Sequence, residues 1–180
     1  MALDRDIVNA QRWLDVVNLR LGSMNADAKR VVKNVFHIDA DDSSQSTRLS
    51  SLRTAFRTLR ARFYQSFPLE CETTVSVTGA WVDLNDPTGT MHFPANHFTT
   101  SAEVRTERMI HERSHTVFQI SHDGMTGAGQ VDFSQSADDD KGFTYQQAVH
   151  NAYCYGWLAT ALQPGYMPSG ETVITARPRR

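Results

Sequence analysis

The sequence His-Glu-Arg-Ser-His at residues 111–115 constrains the fold of this chain more than any other feature. Residues four apart lie one turn apart on the same face of an α-helix, so a helix here lets His111 and His115 bind one metal ion. Glu112 then lies beside the ion, where its carboxylate can accept a proton from water. This spacing is typical of zinc peptidases, in which the ion keeps one position for water. The segment is therefore predicted to be a helix that carries a metal site.

The residues around this motif predict a helix over about 102–120. Thr100 and Glu103 have the spacing of a capping box at its start. Four apolar residues beside the motif indicate that one face of the helix is buried: Met109, Ile110, Val117 and Phe118. Burial of that face would hold the metal ligands rigidly, as metal coordination requires.

Apolar periodicity predicts helices through most of residues 1–68. The first covers about 4–21, and a second, short one ends near Val35. The third has apolar residues at alternating steps of three and four: Leu49, Leu52, Phe56, Leu59, Phe63 and Phe67. Pro68 ends this helix.

After Pro68 the sequence changes to short segments rich in strand-forming residues, and these segments predict a small sheet over residues 72–94. Residues 89–94 are the candidate edge strand, and a plain core hairpin is the alternative. A closing helix is predicted at about 144–162, followed by an irregular tail at 164–180. We therefore expect one α+β domain over 1–163, mainly helical, with the small sheet beside the helix of 102–120.

Composition fits one globular domain and excludes some partners. The chain has 180 residues, of which 40% are hydrophobic, which is enough for a sizeable core. A net charge of −2 gives no general attraction to nucleic acid or to an anionic membrane. No signal peptide is seen, so we expect a soluble protein, either cytoplasmic or exported by a dedicated machine. Cys71 and Cys154 cannot form a disulfide framework, although one bridge between them remains open.

A third metal ligand is expected after the helix, where a Gly-rich stretch lets the chain turn back. Asp123 and His122 are both candidates. The spacing of seven from His115 to His122 is one longer than in the three-histidine metzincin pattern, and the glycine of that pattern is missing. Asp123 is therefore favoured over His122.

Three local matches resemble the aspzincin metallopeptidases, the family of deuterolysins and peptidyl-Lys metalloendopeptidases. In that family a Gly-Thr-x-Asp-x-x-Tyr-Gly block follows the histidines, and here Gly127 follows Asp123 at the same offset of four. Residues 91–98 resemble the family segment that precedes the active-site helix. Residues 148–159 resemble its closing helix, with an Asn-Ala-x-x-Tyr core at 151–155.

The resemblance implies a zincin-like metallopeptidase fold and Zn²⁺ as cofactor. It implies that His111, His115 and Asp123 bind the zinc ion and that Glu112 is the general base for hydrolysis of a peptide bond. The family tyrosine that stabilises the oxyanion is replaced by Thr126. Loss of one such donor typically costs about 10²–10³ in rate. Five side chains are candidates to replace it: Tyr145, Tyr153, Tyr155, His122 and His150.

The resemblance also implies a protein or peptide substrate. Peptidyl-Lys members place acidic groups where the residue after the scissile bond lies, so Asp138, Asp139 and Asp140 suggest a preference for Lys there. A solvated acidic loop is the alternative interpretation. Met91 and Phe93, in the candidate edge strand, are possible substrate-binding residues, because substrate can add its backbone to such a strand.

Two other functions remain open on the sequence. Thr126 favours a binding module that keeps the fold and the metal but has lost turnover. An amidase acting on cell-wall peptides would need the same ligands and base. The sparse cysteines and the missing leader suggest a bacterial protein, such as an exported effector, and the oligomeric state is not indicated.

Overall fold

The computed structural model describes residues 2–75, 79–122 and 144–165. Three helices form the N-terminal part, α1 (Ala2–Ser23), α2 (Ala26–Phe36) and α3 (Ser46–Phe63). The predicted apolar stripe of α3 is confirmed, since its residues from Leu49 to Phe63 at three- and four-residue steps are buried. The helix ends at Phe63, before Phe67 and Pro68.

The small sheet has three strands, β1 (Leu69–Cys71), β2 (Trp81–Val82) and β3 (Met91–Phe93), in the order β1-β3-β2. Strand β3 pairs with β1 in parallel and with β2 in antiparallel orientation. The prediction that residues 89–94 form an edge strand is therefore wrong, because both sides of β3 are paired. The strand that pairs with the other side of β3 is β1, which directly follows Pro68. Strand β1 therefore lies before residue 72, where the sheet was predicted to start.

Strand alternation explains the placement of Met91 and Phe93. Side chains in a strand point to opposite faces in turn, so Met91 and Phe93 share one face and His92 lies on the other. Both Met91 and Phe93 are fully buried in the core. The expectation that they bind substrate is corrected accordingly, since neither side chain is exposed to a ligand.

Helix α4 (Ala102–Phe118) carries the His-Glu motif, as predicted. Its N-cap is Ser101, whose side chain accepts a hydrogen bond from the Val104 backbone N–H. The capping box predicted from Thr100 is wrong by one residue, since the Thr100 hydroxyl instead donates to the His97 carbonyl. At the other end, Gln119 has a left-handed backbone (φ 53°), which ends the helix and turns the chain.

The closing helix is two helices, α5 (Tyr145–Val149) and α6 (Ala152–Ala161), and the single helix predicted over 144–162 is corrected. Thr144 begins α5 with a capping box. Asn151 has an extended backbone and caps α6 by accepting from the Tyr153 N–H at 3.0 Å. Helix α6 packs along α4, and its small Gly156 lies against the Glu107 side chain.

A buried ion pair fixes α1 against α4. The carboxylate of Asp6 is fully buried and accepts from the Nε–H of Arg105 at 3.0 and 3.1 Å. Arg105 also donates through Nη1 to the Thr100 carbonyl. The pair therefore ties the first helix to the first turn of the helix that carries the motif.

The structure also shows the state of the two cysteines and the length and polarity of the helices. Cys71 is exposed and Cys154 is buried, and both are free, so the open possibility of a bridge between them is not realised. Across the described parts of the chain, every helix is too short or too polar to cross a membrane.

Replacement of Asp6 tests the buried pair. Asp6→Ala leaves the Arg105 guanidinium without its carboxylate, and loss of one partner of a buried pair costs about 3 kcal/mol or more. The matched control is Asp15→Ala, because Asp15 lies on the same helix and pairs with Arg60 at the surface. Chemical denaturation should show a large fall in the midpoint for Asp6→Ala and little change for Asp15→Ala. Equal effects of the two substitutions would contradict this account of α1 docking.

Candidate metal centre

Three histidines converge at the C-terminal half of α4. The Nε2 atoms of His111 and His115 are 3.2 Å apart, and each lies 3.1 Å from Nε2 of His122. Within the segments that the structure describes, they are the one group of three or more potential ligands whose ligand atoms all lie within 4.8 Å of one another. Two come from the helix, as predicted, and the third comes from the segment after it.

The spacing of the three nitrogens fits a metal ion. Zinc binds histidine nitrogen at about 2.0–2.1 Å in tetrahedral geometry, which places two such nitrogens about 3.3 Å apart. Three neutral imidazoles facing each other cannot satisfy three nitrogens through hydrogen bonds, since each ring carries a single N–H. A cation can accept all three lone pairs, so the donor set and its spacing suit zinc.

A backbone carbonyl sets the orientation of His115. Its Nδ1 lies 2.6 Å from the carbonyl oxygen of Ile120. Nδ1–H therefore donates to Ile120, which leaves the Nε2 lone pair directed at the other two histidines. The left-handed turn at Gln119 brings Ile120 back over the helix end, so the end of α4 itself orients this ligand.

Asn151 holds the segment that carries His122. Ser121 and His122 both form β-bridges with Asn151, and the Ala152 N–H donates to the Ser121 carbonyl at 3.1 Å. These bonds need extended backbone between α5 and α6, which a continuous helix could not provide. The break in the closing helix therefore positions the third histidine.

Loss of solvation favours the neutral form of all three imidazoles, of which His111 and His115 are buried and His122 is exposed at one side. Loss of solvation lowers the pKa of His111 well below its usual range, and the neighbouring His115 and His122 lower it further. Burial also lowers the pKa of His115. The pKa of His122 falls to about 4, mainly through burial and also through His115. Neutral imidazole is the form that binds a metal ion, so the site is ready for one at neutral pH.

Glu112 lies beside this group on α4. It is buried, and its Oε1 is 3.7 Å from Nε2 of His111. Burial raises the pKa of its carboxyl to about 8, and the nearby Glu107 adds to this rise. A cation bound at the histidines would favour the ionised carboxylate, because opposite charges in a buried site attract strongly.

The other predicted site residues differ in their placement. The Tyr153 ring packs against His111, with centroids 4.2 Å apart, and against His122 at 4.6 Å. The Tyr155 ring packs among core phenylalanines and its hydroxyl donates to the Val149 carbonyl. Tyr145 lies under the Arg48 guanidinium, and His150 is exposed at the end of α5. Five positions lie outside the described residues: Asp123, Thr126, Asp138, Asp139 and Asp140.

The sequence reasoning missed the role of Asn151. The residue occurs inside an apolar stripe whose periodicity predicts one continuous helix over about 144–162. Asparagine is a strong N-cap residue and a weak helix former, so Asn151 itself is the signal that could have located the break.

Comparison with known proteins supports the fold. No protein-family model and no curated protein matches the sequence. Among solved structures, a zinc peptidase from Grifola frondosa matches with a TM-score of 0.65 and 18% identity. The match covers 88% of this chain and 91% of that one. The two chains therefore share a fold, and the predicted α+β, zincin-like fold is confirmed.

Asn151 provides a test of this local architecture. Asn151→Ala removes the cap of α6 and should lower the free energy of unfolding by about 1 kcal/mol. Asn151→Ser retains a capping oxygen and should remain close to the wild type, as measured by chemical denaturation. If the alanine variant were as stable as the wild type, Asn151 would not have the capping role assigned to it.

Proposed function

We propose that this chain is a zinc-dependent metallopeptidase that hydrolyses bonds within peptide chains. The observation that carries the proposal is the triangle of Nε2 atoms from His111, His115 and His122, with the Glu112 carboxylate beside it. The shared fold with a zinc peptidase supports the same function. A helix that carried these residues only as part of a solvated surface would not bury His111, Glu112 and His115 together.

His111, His115 and His122 are the proposed zinc ligands. Their nitrogens already have nearly the separation that a tetrahedral ion needs, and their rings are neutral. Asp123, the ligand implied by the aspzincin resemblance, follows His122 directly and stays a prediction. The proposed set has no anionic ligand, whereas a set with Asp123 would have one.

Bound zinc would lower the pKa of a water molecule and polarise the carbonyl group of the substrate. Glu112 would take a proton from that water as its oxygen forms a bond to the peptide carbon. The C–N bond then breaks, and Glu112 returns the proton to the leaving amine nitrogen. Its burial beside His111 keeps the carboxylate close to the reacting atoms and limits competition from solvent.

Tyr153 is the proposed donor that stabilises the oxyanion in place of the family tyrosine. Its ring contacts two of the proposed ligands, so the side chain lies at the metal centre. The hydroxyl of Tyr155 is already bonded to the Val149 carbonyl. His122 is assigned here to zinc, the Tyr145 ring lies under the Arg48 guanidinium, and His150 is exposed.

We also propose a cleavage specificity for this peptidase, namely a preference for Lys directly after the scissile bond. It rests on Asp138, Asp139 and Asp140 and on the aspzincin resemblance alone. Cleavage sites read from the digestion described below test it directly, since a Lys preference would place Lys at the new N-termini.

Glu112→Gln tests the peptidase activity. The amide cannot accept the proton, and loss of a general base typically lowers the rate by about 10²–10⁴. Zinc-loaded wild type should fragment an unfolded protein, as detected by mass spectrometry, and the Gln variant should not. The zinc content of the variant should equal that of the wild type, because Glu112 is not a ligand in this proposal. Fragmentation that is independent of Glu112 would contradict it.

Removal of the third ligand distinguishes His122 from Asp123. His122→Ala should weaken zinc binding by more than about 100-fold, because even residues that only orient ligands contribute 10–100-fold. Asp123→Ala should leave the affinity nearly unchanged. Competition with a chromophoric chelator measures both constants, and the opposite ranking would assign the zinc to Asp123.

A further inference from the structure

The three imidazoles of the centre are not held in the same way. A histidine that binds metal through one nitrogen normally donates its other N–H to a carbonyl or carboxylate, which fixes the ring orientation. His115 has this arrangement, since Nδ1 donates to the Ile120 carbonyl at 2.6 Å. The Nδ1 atom of His111 is buried and has no hydrogen-bond partner among the described residues. Among the described residues, no hydrogen bond at Nδ1 fixes the orientation of the His111 ring.

The contact that the structure offers is aromatic. The Tyr153 ring lies 4.2 Å from the His111 ring, centroid to centroid, at an interplanar angle of 59°. The same ring lies 4.6 Å from the His122 ring at 31°. One side chain thus packs against two of the three imidazoles, and it does so from α6, an element separate from both.

The Trp157 ring stacks against the Tyr153 ring. It lies one turn further along α6, and the two rings stack at 5.3 Å and 24°. Positions four apart share one face of a helix, so the two rings lie next to each other along α6. Offset and edge contacts between aromatic rings add stabilisation beyond the apolar area that they bury.

We propose that Tyr153 is a positioning residue of the metal centre, whose aromatic ring orients the imidazoles of His111 and His122 for zinc. This positioning role belongs to the aromatic ring and is separate from the oxyanion role proposed above for the hydroxyl group. It deepens the proposed function and rests on it, because it concerns the same ligands. It also gives a reason why three imidazole nitrogens stay within 3.2 Å of each other although Nδ1 of His111 has no hydrogen-bond partner among the described residues.

The test compares Tyr153→Phe with Tyr153→Leu in the full chain. Phenylalanine keeps the ring, so zinc affinity should equal that of the wild type. Leucine keeps apolar bulk but removes the ring, and zinc affinity should fall by at least about 10-fold, in the range for lost orienting groups. The matched control is Tyr64→Leu, since Tyr64 is 57% exposed and lies at the end of α3. Its zinc affinity should not change.

Spectroscopy separates orientation from general destabilisation. In the Co²⁺-loaded protein the visible absorption bands report the ligand geometry, so Tyr153→Leu should shift or weaken them and Tyr153→Phe should restore the wild-type spectrum. Tyr153→Met provides the same comparison if the leucine variant does not fold. Thermal unfolding of the metal-free variants shows whether either loses stability for other reasons.

The outcomes keep this inference distinct from the proposed function. Wild-type affinity and spectrum in both Tyr153→Leu and Tyr153→Met would overturn the positioning role and leave the zinc site intact. Equal loss of affinity in Tyr153→Phe and Tyr153→Leu would also overturn it, because the hydroxyl would then be responsible. Failure of the wild type to bind zinc would overturn the metal centre itself and this inference with it.

Discussion

The pairing of residues 121–122 with Asn151 is the interaction on which the candidate site depends. Helix α4 supplies two imidazoles through its own periodicity, but the third lies beyond the helix end and needs a separate restraint. That restraint is backbone pairing to a residue between α5 and α6. The left-handed turn at Gln119 and the extended backbone of Asn151 are both required, because each turns the chain toward the other. Loss of solvation then favours the neutral form of the converging rings.

Much of this architecture could be predicted from the sequence, and the failures have local causes. The stripes of α3 and α4 were recognisable because a helix buries every third or fourth residue. Strand β1 was not recognisable, since three residues after a proline carry too little periodicity to distinguish them from a loop. The break at Asn151 was hidden because apolar residues continue on both sides of it. The prediction that residues 89–94 form an edge strand was wrong because β1 could not be recognised from the sequence. Strand β1 pairs with the side of β3 that was expected to be unpaired.

The site was predictable to the extent that one helix determines it. The spacing of His111, Glu112 and His115 is a local property, whereas the third ligand depends on how the chain returns after α4. The sequence therefore favours Asp123 over His122, whereas the geometry brings His122 to the other two histidines, and Asp123 lies outside the described residues. The ring of Tyr153 could not be placed beforehand, because its contact with His111 arises from the packing of two helices. At 18% identity to the Grifola frondosa peptidase, such packing details are free to differ while the fold is retained.

The most direct test of the central claim is the coordination of the bound metal. X-ray absorption at the zinc edge of the metal-loaded wild type reports the number and type of ligands. The account predicts three imidazole nitrogens at about 2.0–2.1 Å together with a light-atom ligand such as water. Two imidazoles with a carboxylate would show that His122 is not the third ligand. A spectrum without imidazole ligation would contradict the assignment of a metal centre to His111, His115 and His122.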